Sequence, residues 1–250
     1  MENNKINPHF MKMEDIDLDD LLRIGENRKP NHLGLYRLNC LIIGKTGSGK
    51  TTTLLKALLT DAIDNFEIII FIIPRESIES GFYKSLSENV ESLNKKICFI
   101  IIGEEDLPTI EDFTKISKKF KKRIAVVLDD FINAFSKKEW LIFRRYITQL
   151  SRVPYGASLF VLTQNLLEFP TTYRKNFNCF VLFVNSLTLL QFKDIVKSYY
   201  DYGNFTKREL EEMYNVFKQD SHTPLWLINA PNEEQSMLYL GNYISISDIL

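Results

Sequence analysis

The chain has 250 residues, 45% hydrophobic and 25% charged, with 31 basic against 32 acidic side chains. That is ordinary globular composition, and a net charge of −1 excludes a uniformly basic coat for nucleic acid while leaving room for a local basic patch. No apolar run approaches the roughly eighteen residues of a membrane span. The polar start "MENNKINPHF" lacks the basic-then-apolar order of a secretory signal, so no membrane association is expected.

Taken in chain order, residues 1–32 read as an N-terminal extension. Its "MEDIDLDDLL", Met13 to Leu22, is a short acidic element expected to pack on its own domain. Residues 33–250 read as a single domain, because no linker, repeat or low-complexity tract divides them. Short β-rich runs follow at 38–43, 66–73, 97–102, 124–128, 157–163 and 178–184. Most are apolar at nearly every position, which suits strands buried on both faces of a mainly parallel sheet. Between them, Ser136 with Glu139 and Thr206 with Glu209 are capping boxes that open amphipathic helices. "LWLIN" from Leu225 and "MLYL" from Met237 predict an antiparallel hairpin at the sheet edge. Cys40, Cys98 and Cys179 each lie in an apolar run and are expected to be buried free thiols, and His9, His32 and His222 are too scattered for a metal site.

The first strand runs into a glycine-rich loop, "GKTGSGKTT", and then into a helical pattern. Gly44, Gly49, Lys50 and Thr51 fit G-x-x-x-x-G-K-[ST], a backbone cradle for a phosphate chain. Gly44, Lys45, Thr46, Gly47, Ser48, Gly49, Lys50, Thr51 and Thr52 are therefore expected to bind ATP, with Gly44, Gly47 and Gly49 supplying unusual torsions. Lys50 would neutralise the terminal phosphates, and the Thr51 hydroxyl would bind Mg²⁺.

The run "IAVVL" ends in Asp129 and Asp130. At the end of a buried strand, Asp129 would hold the Mg²⁺ shell and Asp130 would orient or deprotonate a water, a pairing that suits hydrolysis. "ASLFVLT" ends in Gln164, a polar side chain placed to face the ligand crevice of an open α/β sheet.

Phosphate loop, apolar strand with an acidic pair, and strand with Gln together resemble the FtsK–HerA superfamily, and within it the poxvirus-type genome-packaging ATPases of large DNA viruses and virophages. The stretch "LSRVPYGASLFVLTQNLLEFPTTYRKN" adds Arg152, Pro170, Arg174 and Asn176 to the likeness, although "SRVPYGAS" lacks the Gly-Arg-His expected at that turn. The resemblance covers roughly residues 38 to 185; it leaves 186–250 as further helices and the edge hairpin. It implies a P-loop NTPase of the RecA-like (ASCE) type that assembles as a homo-oligomeric ring. It also implies ATP hydrolysis driving double-stranded DNA into a preformed capsid, contact with capsid or portal-like vertex components, and a place in the viral factory of the host cell or in the virion. An arginine from the neighbouring subunit would complete each site, Arg152 being the first candidate and Arg174 the second.

"TKISKKFKKR" from Thr114 groups Lys118, Lys119, Lys121 and Lys122 among six cations, candidates for non-specific phosphate contacts. If helical, it would turn Phe113, Ile116 and Phe120 inward. Two other readings stay open: a nucleoside or nucleotide kinase, for which the expected arginine-rich lid is missing, and an ATP-dependent assembly switch without useful turnover.

Overall fold

The computed structural model describes residues 37–58, 66–78, 83, 85–86, 88, 97–103, 107–129, 135–199, 206–219, 223–228, 237–240 and 244–245. The extension over 1–32, the Met13–Leu22 segment and Asp130 lie outside the described residues.

Strands β1 (Asn39–Ile43), β2 (Ile68–Ile73), β3 (Cys98–Gly103), β4 (Ile124–Asp129), β5 (Ala157–Thr163) and β6 (Cys179–Leu182) fall within two residues of the runs read from the sequence. They pair in parallel in the order β3-β2-β4-β5-β1-β6. Strands β7 (Leu225–Ile228), β8 (Met237–Leu240) and β9 (Ile244–Ser245) extend the sheet antiparallel beyond β6. The hairpin was legible at β7 and β8; β9 was not foreseen.

The helices among the described residues include α1 (Lys50–Lys56), α2 (Arg75–Ile78), α3 (Ile110–Phe120), α4 (Lys137–Gln149), α5 (Thr171–Arg174), α6 (Leu189–Tyr199) and α7 (Lys207–Phe217). Their packing explains the uninterrupted apolar strands. Leu41, Ile43 and Val126 face a cluster with Phe113 of α3, Phe143 of α4, Ile195 of α6 and Leu210 of α7. Cys40, Ile42 and Val127 face the opposite way, against Leu54 and Leu55 of α1. Both faces of the parallel sheet are therefore covered. Each fully buried Ile or Phe of β2 contributes about 1.5–3 kcal/mol by leaving water.

Capping boxes open α4 at Ser136 and α7 at Thr206, as read, and a third opens α3, where Thr109 and Asp112 bond each other reciprocally. Two expectations are corrected. Cys98 is exposed because it begins β3, the outermost parallel strand, whereas Cys40 and Cys179 are buried partners in the β1–β6 register. Burial, with Cys179 alongside, pushes the Cys40 thiol up. Phe120 is 54% exposed, since α3 ends there and Lys121 turns left-handed at φ 52°; Phe113 is buried and Ile116 half-buried.

Candidate nucleotide-binding site

β1 holds the loop on a rigid base, bonded on one side to β5 and on the other to β6. The Gly44 N–H donates to the Thr163 carbonyl (3.1 Å), and the Phe183 N–H donates to that of Ile43 (2.9 Å). Beyond Gly44 the Lys45 N–H donates to Ser186 Oγ (2.8 Å), and the Ser48 N–H closes a turn onto the Lys45 carbonyl (3.1 Å). Gly47 (φ 75°) and Gly49 (φ 94°) occupy the left-handed region, where a Cβ is strained. Gly44 does not. Its requirement is space: a Cβ there would lie 2.3 Å from Ser48 Oγ and 2.9 Å from Phe183 Cδ2. The expected unusual torsion thus holds at two of the three glycines.

The loop leaves polar groups unspent. The amides of Thr46, Gly47 and Gly49 bond no described residue. Ser48 Oγ is buried without a partner among the described residues. Lys50 is 6% exposed, and its ammonium donates to the carbonyls of Gly44 (2.9 Å) and Lys45 (3.3 Å). Open amides around a buried cation are the chemistry of an anion cradle.

Asp129 ends β4 and is 4% exposed. Its Oδ2 accepts from Thr51 Oγ1 (2.9 Å) and from the Tyr83 hydroxyl (2.7 Å). An ionised carboxylate only accepts, so both hydroxyls donate and the Thr51 oxygen keeps its lone pairs. Thr51 and Asp129 thus offer two hard oxygens at one point. That fits Mg²⁺, which takes one or two protein oxygens together with substrate phosphates. No cluster of three His, Cys, Asp or Glu forms among the described residues. Gln164 is exposed just past β5, the strand between β4 and β1, at the end of the sheet where the loop and Asp129 meet.

The remaining candidates lie elsewhere. Arg152 is exposed ahead of β5, at the end of the sheet opposite Thr163, about 20 Å of strand away from the loop. Arg174 ends α5 and donates through Nε to the Phe169 carbonyl (2.7 Å). Shortly after it, the Asn176 carbonyl accepts from Asn39 at the start of β1. Lys118 and Lys119 are exposed on the last turn of α3, and Lys121 and Lys122 lead into β4. Lys122 pairs with Glu67 (3.1 Å). Arg152, Lys121 and Lys122 thus precede the amino-terminal ends of β5 and β4, away from the phosphate loop. Sequence reasoning missed Tyr83, Phe183 and Ser186, whose contacts here close over long loops.

A sequence model of the family described as Poxvirus A32 protein matches residues 28–228. A search of curated proteins found no match. Among solved structures, the chain is similar to B204, the DNA-packaging ATPase from Sulfolobus Turreted Icosahedral Virus. The TM-score is 0.55 at 15% identity, covering 84% of this chain and 99% of that one. It is also similar to the genome packaging NTPase B204 from Sulfolobus turreted icosahedral virus 2 in complex with AMPPCP, with TM-score 0.53, 15% identity, and 83% and 98% covered. At such identity the likeness establishes the fold, a P-loop ATPase sheet.

Proposed function

The chain belongs to the poxvirus A32 protein family of viral genome-packaging NTPases, and on that premise we propose that it is an ATP-hydrolysing DNA translocase. It drives double-stranded DNA into a preformed capsid as a ring of identical subunits, seated on capsid or portal-like vertex components in the host cell. The observation that carries this reading is the meeting of the open loop amides, buried Lys50 and the Thr51–Asp129 pair at the carboxyl ends of the central strands. The AMPPCP complex of the similar B204 protein supports a nucleotide there.

In this reading residues 44–52 hold the phosphates, with Lys50 against the terminal ones. Thr51 and Asp129 hold Mg²⁺, which when bound offsets phosphate charge and helps orient the γ-phosphate. Asp130 orients the attacking water, and Gln164, on the strand between, senses the γ-phosphate. Arg152 stands too far from its own loop to serve it, which supports a role across a subunit boundary, with Arg174 as the alternative. Lys118, Lys119, Lys121 and Lys122 are candidates for sequence-independent contacts to the duplex backbone. Residues 33–250 act as one ATPase domain behind the extension 1–32. Among the described residues no helix is long and apolar enough to cross a membrane.

The test is steady-state ATP hydrolysis with and without random-sequence duplex DNA over a salt series, with Lys50→Ala as blank. Several-fold stimulation that fades with salt is expected. Turnover indifferent to DNA, with capsid components present, would overturn the translocase reading and favour an assembly switch or a small-acceptor kinase.

A further inference from the structure

We infer that Tyr83, through its hydrogen bond to Asp129, is a positioning residue for the divalent cation; the inference rests on the ATPase reading above. β4 fixes the backbone of Asp129, whose Cα is in register with Leu162 of β5. The backbone alone does not fix the carboxylate, which still turns about its side-chain bonds. Two donors that bear on that turn reach the same oxygen: Thr51 Oγ1 at 2.9 Å and the Tyr83 hydroxyl at 2.7 Å. Thr51 is an unequal partner, because its oxygen is also the cation's ligand. The Tyr83 hydroxyl enters this arrangement as a donor to the acid. Its ring packs beside Phe71, with centroids 6.1 Å apart, and Phe71 is wholly buried in β2, the strand next to β4. The phenol is therefore a stiff arm reaching from the segment after β2 to the acid. It is the kind of outer partner that orients a metal-ligating carboxylate and tunes the site's affinity.

The test uses the full chain with Tyr83→Phe, which keeps the ring against Phe71 and removes only the hydroxyl. Binding of Mn²⁺, read by electron paramagnetic resonance in the presence of a non-hydrolysable ATP analogue, is expected to weaken roughly tenfold. Affinity for a fluorescent ATP analogue without metal is expected to stay at the wild-type value. On an Asp129→Asn background, Tyr83→Phe is expected to add nothing, because Tyr83 acts through that carboxylate. Unchanged Mn²⁺ affinity in Tyr83→Phe, with wild type binding normally, would remove Tyr83 alone. An equal further loss on the Asp129→Asn background would do the same. Wild type binding neither nucleotide nor Mn²⁺ would bring down the ATPase reading and this inference together.

Discussion

Gly44 and Gly47 are both loop glycines, yet they should fail for opposite reasons, and a pair of substitutions at each separates the two. At Gly44 an added Cβ meets Ser48 Oγ at 2.3 Å and Phe183 at 2.9 Å (Cδ2) and 3.1 Å (Cβ). The Ser48 hydroxyl can swing aside, but Phe183 is fully buried and must give by a few tenths of an ångström. Overpacking of that kind costs about 1–3 kcal/mol, or about 2–12 °C in Tm for a chain of this size. At Gly47 nothing lies within 4 Å of the added carbon, and the cost is the positive φ alone, about 1–2 kcal/mol. Asn tolerates the left-handed region better than Ala but is larger. So Gly47→Asn should be milder than Gly47→Ala, and Gly44→Asn worse than Gly44→Ala. Scanning calorimetry on the four variants reads the order, and a fluorescent ATP analogue reads the loop. Adding Ser48→Ala should restore part of the loss in Gly44→Ala and none in Gly47→Ala. If Asn at 44 is tolerated as well as Ala, steric crowding is not why Gly44 is glycine.

Lys50→Ala should abolish tight nucleotide binding and turnover together; wild-type turnover would take Lys50 out of the site. Asp130→Asn should keep nucleotide affinity while losing hydrolysis, checked by pairing an equilibrium binding curve with a phosphate-release assay. Arg152→Ala mixed with wild type should depress activity more than in proportion to its fraction, whereas strictly linear loss would confine Arg152 to its own subunit. Thr109→Ala should cost about 1 kcal/mol by uncapping α3. The Thr109 hydroxyl, and then its N–H, hold the Asp112 carboxyl below its ordinary value. That contribution is present above the unfolded pKa and is lost as pH falls through the lowered folded one. The gap in Tm between wild type and Thr109→Ala should therefore persist at neutral pH and narrow only below pH 3.8.

The fold was legible because its signals are local. Central parallel strands buried on both faces need apolar side chains at successive positions, and "IIIFII" or "IAVVL" can do little else. The loop was legible because glycine spacing and Lys-Thr are read within eight residues. What escaped is set by tertiary closure. Tyr83 meets Asp129 across 46 residues and Ser186 meets Lys45 across 141. The Thr109 cap went unread because its third helical residue is Asp112, not the Glu or Gln of the usual box. Membership of an apolar run did not bury Cys98, because burial is decided by place in the sheet order and that order is not written locally.

The unequal fates of the three cysteines supply a ready experimental handle. Maleimide chemistry needs an accessible sulfur, which Cys98 presents on the folded surface and the Cys40–Cys179 pair, buried in neighbouring strands, does not. The unaltered sequence should therefore take a single dye per subunit. Stepwise bleaching of that dye would count the subunits of the proposed ring without a single engineered residue. Uptake of a second and third label would time the opening of the sheet around the loop-bearing strand.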